Sequence, residues 1–136
     1  MLFTPLYWSN KKIRADRWKR PLLEARQILR TGWKHYSARQ VTRFAAHHHA
    51  DLIHTNTILT PEGGLAARSL GLPHVWHLRE LLGPGQPFRL GLEGKALGHH
   101  LANHCSKLIA NSRTSGECVR DWLPPGLLEV VPNGID

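Results

Sequence analysis

Cysteine is scarce in this sequence: Cys105 and Cys118 are the only two among 136 residues. Two thiols exclude the disulfide scaffold on which small secreted domains rely. Long apolar runs are also missing, since no stretch approaches the roughly 20 apolar residues of a membrane span. The apolar opening MLFTPLYW follows no positive stretch and precedes no small-residue cleavage site, so it does not read as a secretion signal. A reduced, cytosolic protein is the expectation. No GxSxG, P-loop or CxxC is present, which removes the nucleophile elbow, the Walker phosphate cradle and the dithiol redox motif from consideration.

Acidic residues are nearly absent from the first third. Residues 1–50 hold 11 Lys/Arg against 2 Asp/Glu, whereas residues 51–136 hold 7 against 8. The whole excess of the formal +8 charge therefore lies in a basic N-terminal segment (1–50), ahead of an electrically neutral body (51–136). Such an asymmetry suggests a polyanion or an anionic membrane as partner. At 41% hydrophobic and 21% charged residues the chain is ordinary for a globular protein and is not a mostly disordered one.

Residues 1–20 carry little pattern: MLFTPLYW reads as a strand remnant or a loop, and NKKIRADRWKR as a charged connector. From Pro21 a helical spacing begins with Leu22, Ala25, Ile28 and Leu29. Thr31 and Gly32 weaken it, and it resumes with Tyr36, Val41, Phe44 and Ala45 before the triplet His47–His49. From Asp51 short apolar runs alternate with helical segments. Leu52–Thr55 reads as a buried strand, and NTILT as a loop. Thr60-Pro61-Glu62 reads as a capped helix start, and Gly71 and Pro73 as its stop. HVWHL (74–78) is a strand, followed by a Gly/Pro-rich loop at 82–87 and a helix from about Arg89 to Cys105. KLIA (107–110) is a strand, 112–122 a helix and 128–131 a last strand. Connections of this length require parallel pairing by right-handed crossovers, hence an α/β fold: a Rossmann-like parallel sheet with flanking helices, doubly wound.

Ligands of such sheets bind beyond the carboxyl ends of the strands. That rule selects His54, Asn56 and Thr57, then Glu62, Gly63 and Gly64, after the first strand. After the second it selects His77, Arg79 and Glu80; after the third Asn111, Ser112 and Arg113; after the fourth Asn133, Gly134 and Asp136. Structural roles compete for several of them. Asn111 and Ser112 suit a helix cap, His54 suits a satisfied core histidine, and the Gly63-Gly64 pair, lacking GxGxxG spacing, suits tight helix–sheet packing. In HLRE (77–80) an imidazole, a guanidinium and a carboxylate could supply base, anion clamp and orienting acid together. His100 and His104 have the spacing of a one-faced metal grip, but no carboxylate pair completes a site, and no metal is expected. Cys105 and Cys118 are expected to pack as small hydrophobes.

DLIHTN, GLAARSLGLPHVWHLRE, SKLIANSRTSGECVRDWLP and LLEVVPNGID, in this order, resemble the N-terminal domain of GT-B glycosyltransferases of family 4, the group 1 type. The resemblance covers roughly residues 37–136. It implies an enzyme of two Rossmann-like domains that transfers a sugar from a nucleotide-sugar in the cleft between them, with no metal or other cofactor. The N-terminal domain would shape the acceptor side (glycan, lipid-linked or small molecule) and the C-terminal one would hold most of the donor. His77 falls on the strand-end histidine that faces the transferred sugar, the one catalytic candidate. His54 falls on the loop bordering the acceptor, Ser112 and Arg113 near the cleft, and PNGID (132–136) on the passage to the second domain. Arg79 would be an anion contact or an orienting partner for Glu80. Two departures stand out: Asn56 replaces the second histidine of the family's His-x-His, and no strand with a glycine-rich loop precedes Asp51. With the donor-binding domain absent from these residues, the isolated chain is expected to be inactive.

Two other readings follow from the same residues. Trp8, Trp18, Trp33 and Tyr36 interleave with the basic residues of the segment 1–50, as in a nucleic-acid-binding module. No helix-turn-helix, zinc finger or RNP pattern supports that, and no nucleic acid is expected as partner. A non-catalytic remnant carrying the fold alone is the other. With a transferase-like body behind it, the basic and aromatic stretch 11–43 fits better as a face toward an anionic membrane or a lipid-linked acceptor, which makes a peripheral membrane position an expectation.

Overall fold

The chain is described by a computed structural model that covers residues 20–83, 86 and 90–134. The readings of residues 1–19, of Arg89 as a helix start and of Asp136 lie outside the described residues. A 28-residue helix, α1 (Arg20–His47), comes first. It is followed by β1 (Ile53–Thr55), α2 (Glu62–Leu70), β2 (His74–Leu78), α3 (Gly94–His104), β3 (Lys107–Ala110), α4 (Arg113–Arg120) and β4 (Leu128–Val130). All three strand pairings are parallel, in the order β1-β2-β3-β4.

A doubly wound sheet reverses its strand order once, and here the order runs one way throughout the described strands. Right-handed crossovers that always step in the same direction put their helices on the same face. Accordingly Trp76 and Leu78 of β2 and Leu108 and Ala110 of β3 share one core with Leu97 and Leu101 of α3 and Val119 of α4. Ile58 and Leu59, read from sequence as loop, are buried in the same core. The opposite face presents His54, Val75, His77, Lys107, Ile109 and Glu129, none of them fully buried. Lys107 Nζ and Glu129 Oε2 pair there at 3.2 Å.

The helices end and bend where local chemistry dictates. α1 runs straight through Thr31 and Gly32, where sequence suggested a weakening. Its small buried residues Ser37, Ala38 and Ala45 form the inner side of a helix that packs on α2. α2 closes on Gly71 at φ 69°, whose N–H and that of Leu72 bond back to Arg68 and Ala67, the paired C-terminal bonds that favour glycine. α1 closes in the same way on His49, at φ 50°, with Ala50 N–H donating to Ala45 O at 3.0 Å. α2 has Pro61 at its N-cap with no side-chain cap, so Thr60 does not cap it. α3 begins at Gly94, well inside the expected helix, because Glu93 is extended at φ −136°.

Two substitutions test this account by urea unfolding. A side chain at Gly98 would run into the backbone carbonyl of Trp122, which cannot yield as a side-chain tip would. Gly98→Ala is expected to cost about 2–3 kcal/mol, and an unchanged midpoint would refute that close contact. His49→Gly relieves a left-handed backbone and should add about 1 kcal/mol.

Candidate functional site

Because side chains alternate along a strand, the register decides which sequence-selected residues share a surface. His54 pairs with Val75 and His77 with Ile109, all on the face that no described helix covers; Thr55 pairs with Trp76 and belongs to the helix side. The residues chosen by the strand-end rule therefore divide into two sets with different work to do.

The first set gathers on the uncovered face at the carboxyl edge. The imidazoles of His54 and His77 stack with centroids 5.8 Å apart and planes at 21°. His77 Nε2 is shielded from solvent and has no hydrogen-bond partner among the described residues. Its pKa lies below the ordinary value, first through desolvation, then through His54 and Arg79, with Glu80 acting in the opposite sense. The ring is thus neutral at pH 7 and able to exchange hydrogen bonds without contributing charge. One step further along, the exposed Arg79 guanidinium donates to Asn56 Oδ1 at 3.4 Å. His54, exposed rather than buried, is not a core histidine.

The second set faces the helices. Glu80 makes its hydrogen bonds elsewhere than at the His77 ring or the Arg79 guanidinium. Its carboxylate accepts from Thr57 Oγ1 and, at 3.2 Å each, from the amides of Ile58 and Arg79. Thr57 Oγ1 in turn accepts from Leu59 N–H at 3.1 Å, and Thr57 O accepts from Trp76 Nε1 at 2.7 Å. Glu80 thus latches the β1–α2 connection onto β2; it is not a partner that orients Arg79. Within the HLRE cluster read from sequence, the Glu80 carboxylate accepts its hydrogen bonds from Thr57 and from the amides of Ile58 and Arg79.

Glu62, Gly63 and Gly64 are buried at the start of α2. A Cβ on Gly63 would strike Thr55 Oγ1, and one on Gly64 would crowd the carbonyl of His104. Close packing of α2 on β1, β2 and the end of α3 accounts for both glycines. Ser112 caps α4, accepting from Ser115 N–H at 3.1 Å, while Ser115 Oγ donates to Asn111 Oδ1 at 2.9 Å. Arg113, Asn133 and Gly134 are exposed beyond their strands, and no hydrogen bond ties them to the first set.

The polar residue that sequence reasoning missed is His74, the buried histidine of this fold. Its Nδ1 donates to His104 O at 2.6 Å, so its Nε2 accepts from Thr55 Oγ1 at 2.8 Å. A carbonyl can only accept, and this fixes the tautomer. Burial lowers the pKa of His74, a backbone bond to His104 works against that, and nearby His54 and His104 add to it. The only signal in the sequence was its position two residues from Trp76 within a strand. His100 and His104 stack at 4.2 Å on α3, with His104 Nδ1 donating to His100 O, and no third metal-ligating side chain joins them among the described residues. Cys105 is buried and its thiol is pushed up to about 12, which makes it inert.

The sequence model of Glycosyltransferase Family 4 matches residues 4–136, the basic segment included. A crystal structure of Anabaena Alr3699/HepE in complex with UDP is similar at 27% identity and a TM-score of 0.58, over 74% of this chain and 27% of its own. The chain thus spans little more than a quarter of that protein. No curated protein matches the sequence.

The buried histidine gives a pH prediction. Its folded pKa lies below the ordinary 6.5, so the unfolded chain takes up a proton that the folded chain rejects. Stability should be level above pH 7 and fall as pH drops through 6.5 and below. In His74→Gln the fall should be shallower, as read by urea midpoints from pH 8 to pH 5. Parallel pH profiles for the two chains would refute a neutral buried His74.

Proposed function

The chain belongs to glycosyltransferase family 4, and on that premise we propose that it supplies the acceptor-side domain of an enzyme that moves a sugar from a nucleotide-sugar onto an acceptor. The acceptor is a glycan, a lipid-linked sugar or a small molecule. UDP-sugars are the first donors to test, because the similar HepE structure holds UDP. The donor is a co-substrate, and no metal or other cofactor takes part in this reading.

One observation carries the proposal: His77, stacked on His54, has a shielded ring nitrogen with no partner among the described residues. Polar atoms withdrawn from water are almost always satisfied. A sugar hydroxyl or a phosphate oxygen at that nitrogen would complete the set. Departure of a nucleoside diphosphate leaves negative charge on phosphate and positive charge on the anomeric carbon. A neutral imidazole can bond the transferred sugar without repelling the latter, and Arg79, beside it on the same face, suits the former. Asn56 holds the guanidinium toward that side.

Glu80 and Thr57 are positioning residues in this scheme, since they hold the connection that carries Asn56. Ser112, Asn111, Gly63 and Gly64 serve the fold of the same edge. His54, Arg113, Asn133 and Gly134 border the cleft toward the domain that would hold most of the donor. A cytoplasmic site of action, at the membrane when the acceptor is lipid-linked, belongs to the same reading. It draws support from the two free thiols. No helix among the described residues is long and apolar enough to cross a membrane.

The test is turnover by a chain that also carries the donor-binding domain, followed as UDP release with acceptor present. His77→Ala should lower kcat/KM by about a hundredfold or more, with an unchanged melting temperature. Near-normal turnover by that variant would overturn the assignment.

A further inference from the structure

α1 carries an unusual outer surface that the transfer reaction does not use. Trp33, Tyr36 and Phe44 are 51%, 55% and 58% exposed. At about 100° per residue Trp33 and Phe44 fall about 20° apart around the helix, with Tyr36 about 60° to one side. Buried Ala38 and Ala45 fall about 140° and 120° from Trp33, and buried Ser37, about 40° from Trp33, marks the near border of that inner side. The exposed aromatic stripe thus adjoins, at Phe44, the side of the helix that packs on α2, and turns away from it at Trp33 and Tyr36. Phe44 meets His48 at 4.3 Å and Trp33 meets Tyr36 at 5.8 Å, both with tilted planes, so the rings are arranged along the helix surface. Exposed Arg43 and Arg39 lie beside Tyr36, about 20° and 60° further round the helix from Trp33. From Trp33 to Phe44 the stripe is about 16 Å long at about 1.5 Å per residue.

We propose that this outer face of α1 docks in the plane of an anionic lipid bilayer, with Trp33, Tyr36 and Phe44 entering the interfacial zone and Arg39 and Arg43 meeting lipid phosphates. Charge complementarity selects the occupant. Residues 1–50 hold 11 Lys/Arg against 2 Asp/Glu, and no acidic residue lies between Ala25 and Ala50. Trp and Tyr favour the boundary between headgroups and acyl chains, and a helix with aromatics beside arginine binds there without spanning. α1 is too polar to cross, which leaves it lying on the surface. The docking surface narrows the sequence-level expectation for residues 11–43 to specific side chains. It also stands apart from the chemistry at His77, so failure of either leaves the other intact.

The experiment is co-sedimentation of the purified chain with vesicles of two parts phosphatidylcholine to one part phosphatidylglycerol, at low and high salt, against vesicles of phosphatidylcholine alone. Binding should appear with the anionic vesicles at low salt and weaken as salt screens the charges. Each arginine near the surface is worth about fivefold in affinity, so Arg39→Gln with Arg43→Gln should weaken binding by about 25-fold or more. Trp33→Ala with Phe44→Ala should abolish the blue shift of tryptophan emission that accompanies binding. Arg120→Gln with Lys95→Gln, exposed on other helices, should leave binding unchanged, and circular dichroism confirms that each variant stays folded. The proposal is overturned by absence of binding to the anionic vesicles at low salt, or by equal loss in the Arg120/Lys95 variant. Retention by an oligonucleotide through the same stripe, with no vesicle binding, would overturn it equally.

Discussion

Everything at the candidate site depends on the direction in which the sheet is wound. Parallel strands added always to the same edge, joined by right-handed crossovers, have a single helix face. α2, α3 and α4 cover Thr55, Trp76, Leu78, Leu108 and Ala110, and among the described residues no helix covers His54, His77 or Ile109. The polar groups are therefore sorted before any ligand arrives. Those on the helix side must satisfy one another in a dry environment, and those on the other side keep unused capacity.

The helix side shows how costly unsatisfied polar atoms are in such a place. His74 is tied at both ring nitrogens, to His104 O and Thr55 Oγ1. Glu80 spends its carboxylate on Thr57, Ile58 and the amide of Arg79. Asn111, Ser112 and Ser115 close a small network over the start of α4. Each removes an attractive residue from the pool of ligand contacts and converts it into rigidity at the strand ends. A rigid edge is what a transfer site needs, since sugar and acceptor must be held in one geometry. The open side, by contrast, retains His77 Nε2 without a partner among the described residues.

How much of this was legible depended on whether the deciding forces were local. HVWHL and KLIA form strands with the limits that their short apolar runs suggested, and Gly71 ends α2 because only the left-handed region fits there. Ser112 caps α4 through its own hydroxyl. Other readings needed distant partners. Gly63 and Gly64 look alike as ligand cradle or packing notch until Thr55 and His104 stand against them. His54 and His74 look alike as strand histidines until the pairing of His54 with Val75 sends them to opposite faces. α1 crosses Gly32 without a break although that position meets open space, because one glycine costs a helix only about 1 kcal/mol.

The sequence by itself determined the order and type of the elements, the parallel pairing, the charge asymmetry and the family resemblance. Period, capping and composition act over a few residues and are written in the chain directly. Only the tertiary structure decided that the described strands run in one order, that Glu80 is a latch and His74 the core histidine, and that the aromatic residues of α1 are exposed. These rest on which side of a strand or helix meets a neighbour, and a single helix or strand carries both sides with equal local cost. The meeting of elements far apart in the chain is what separates one side from the other.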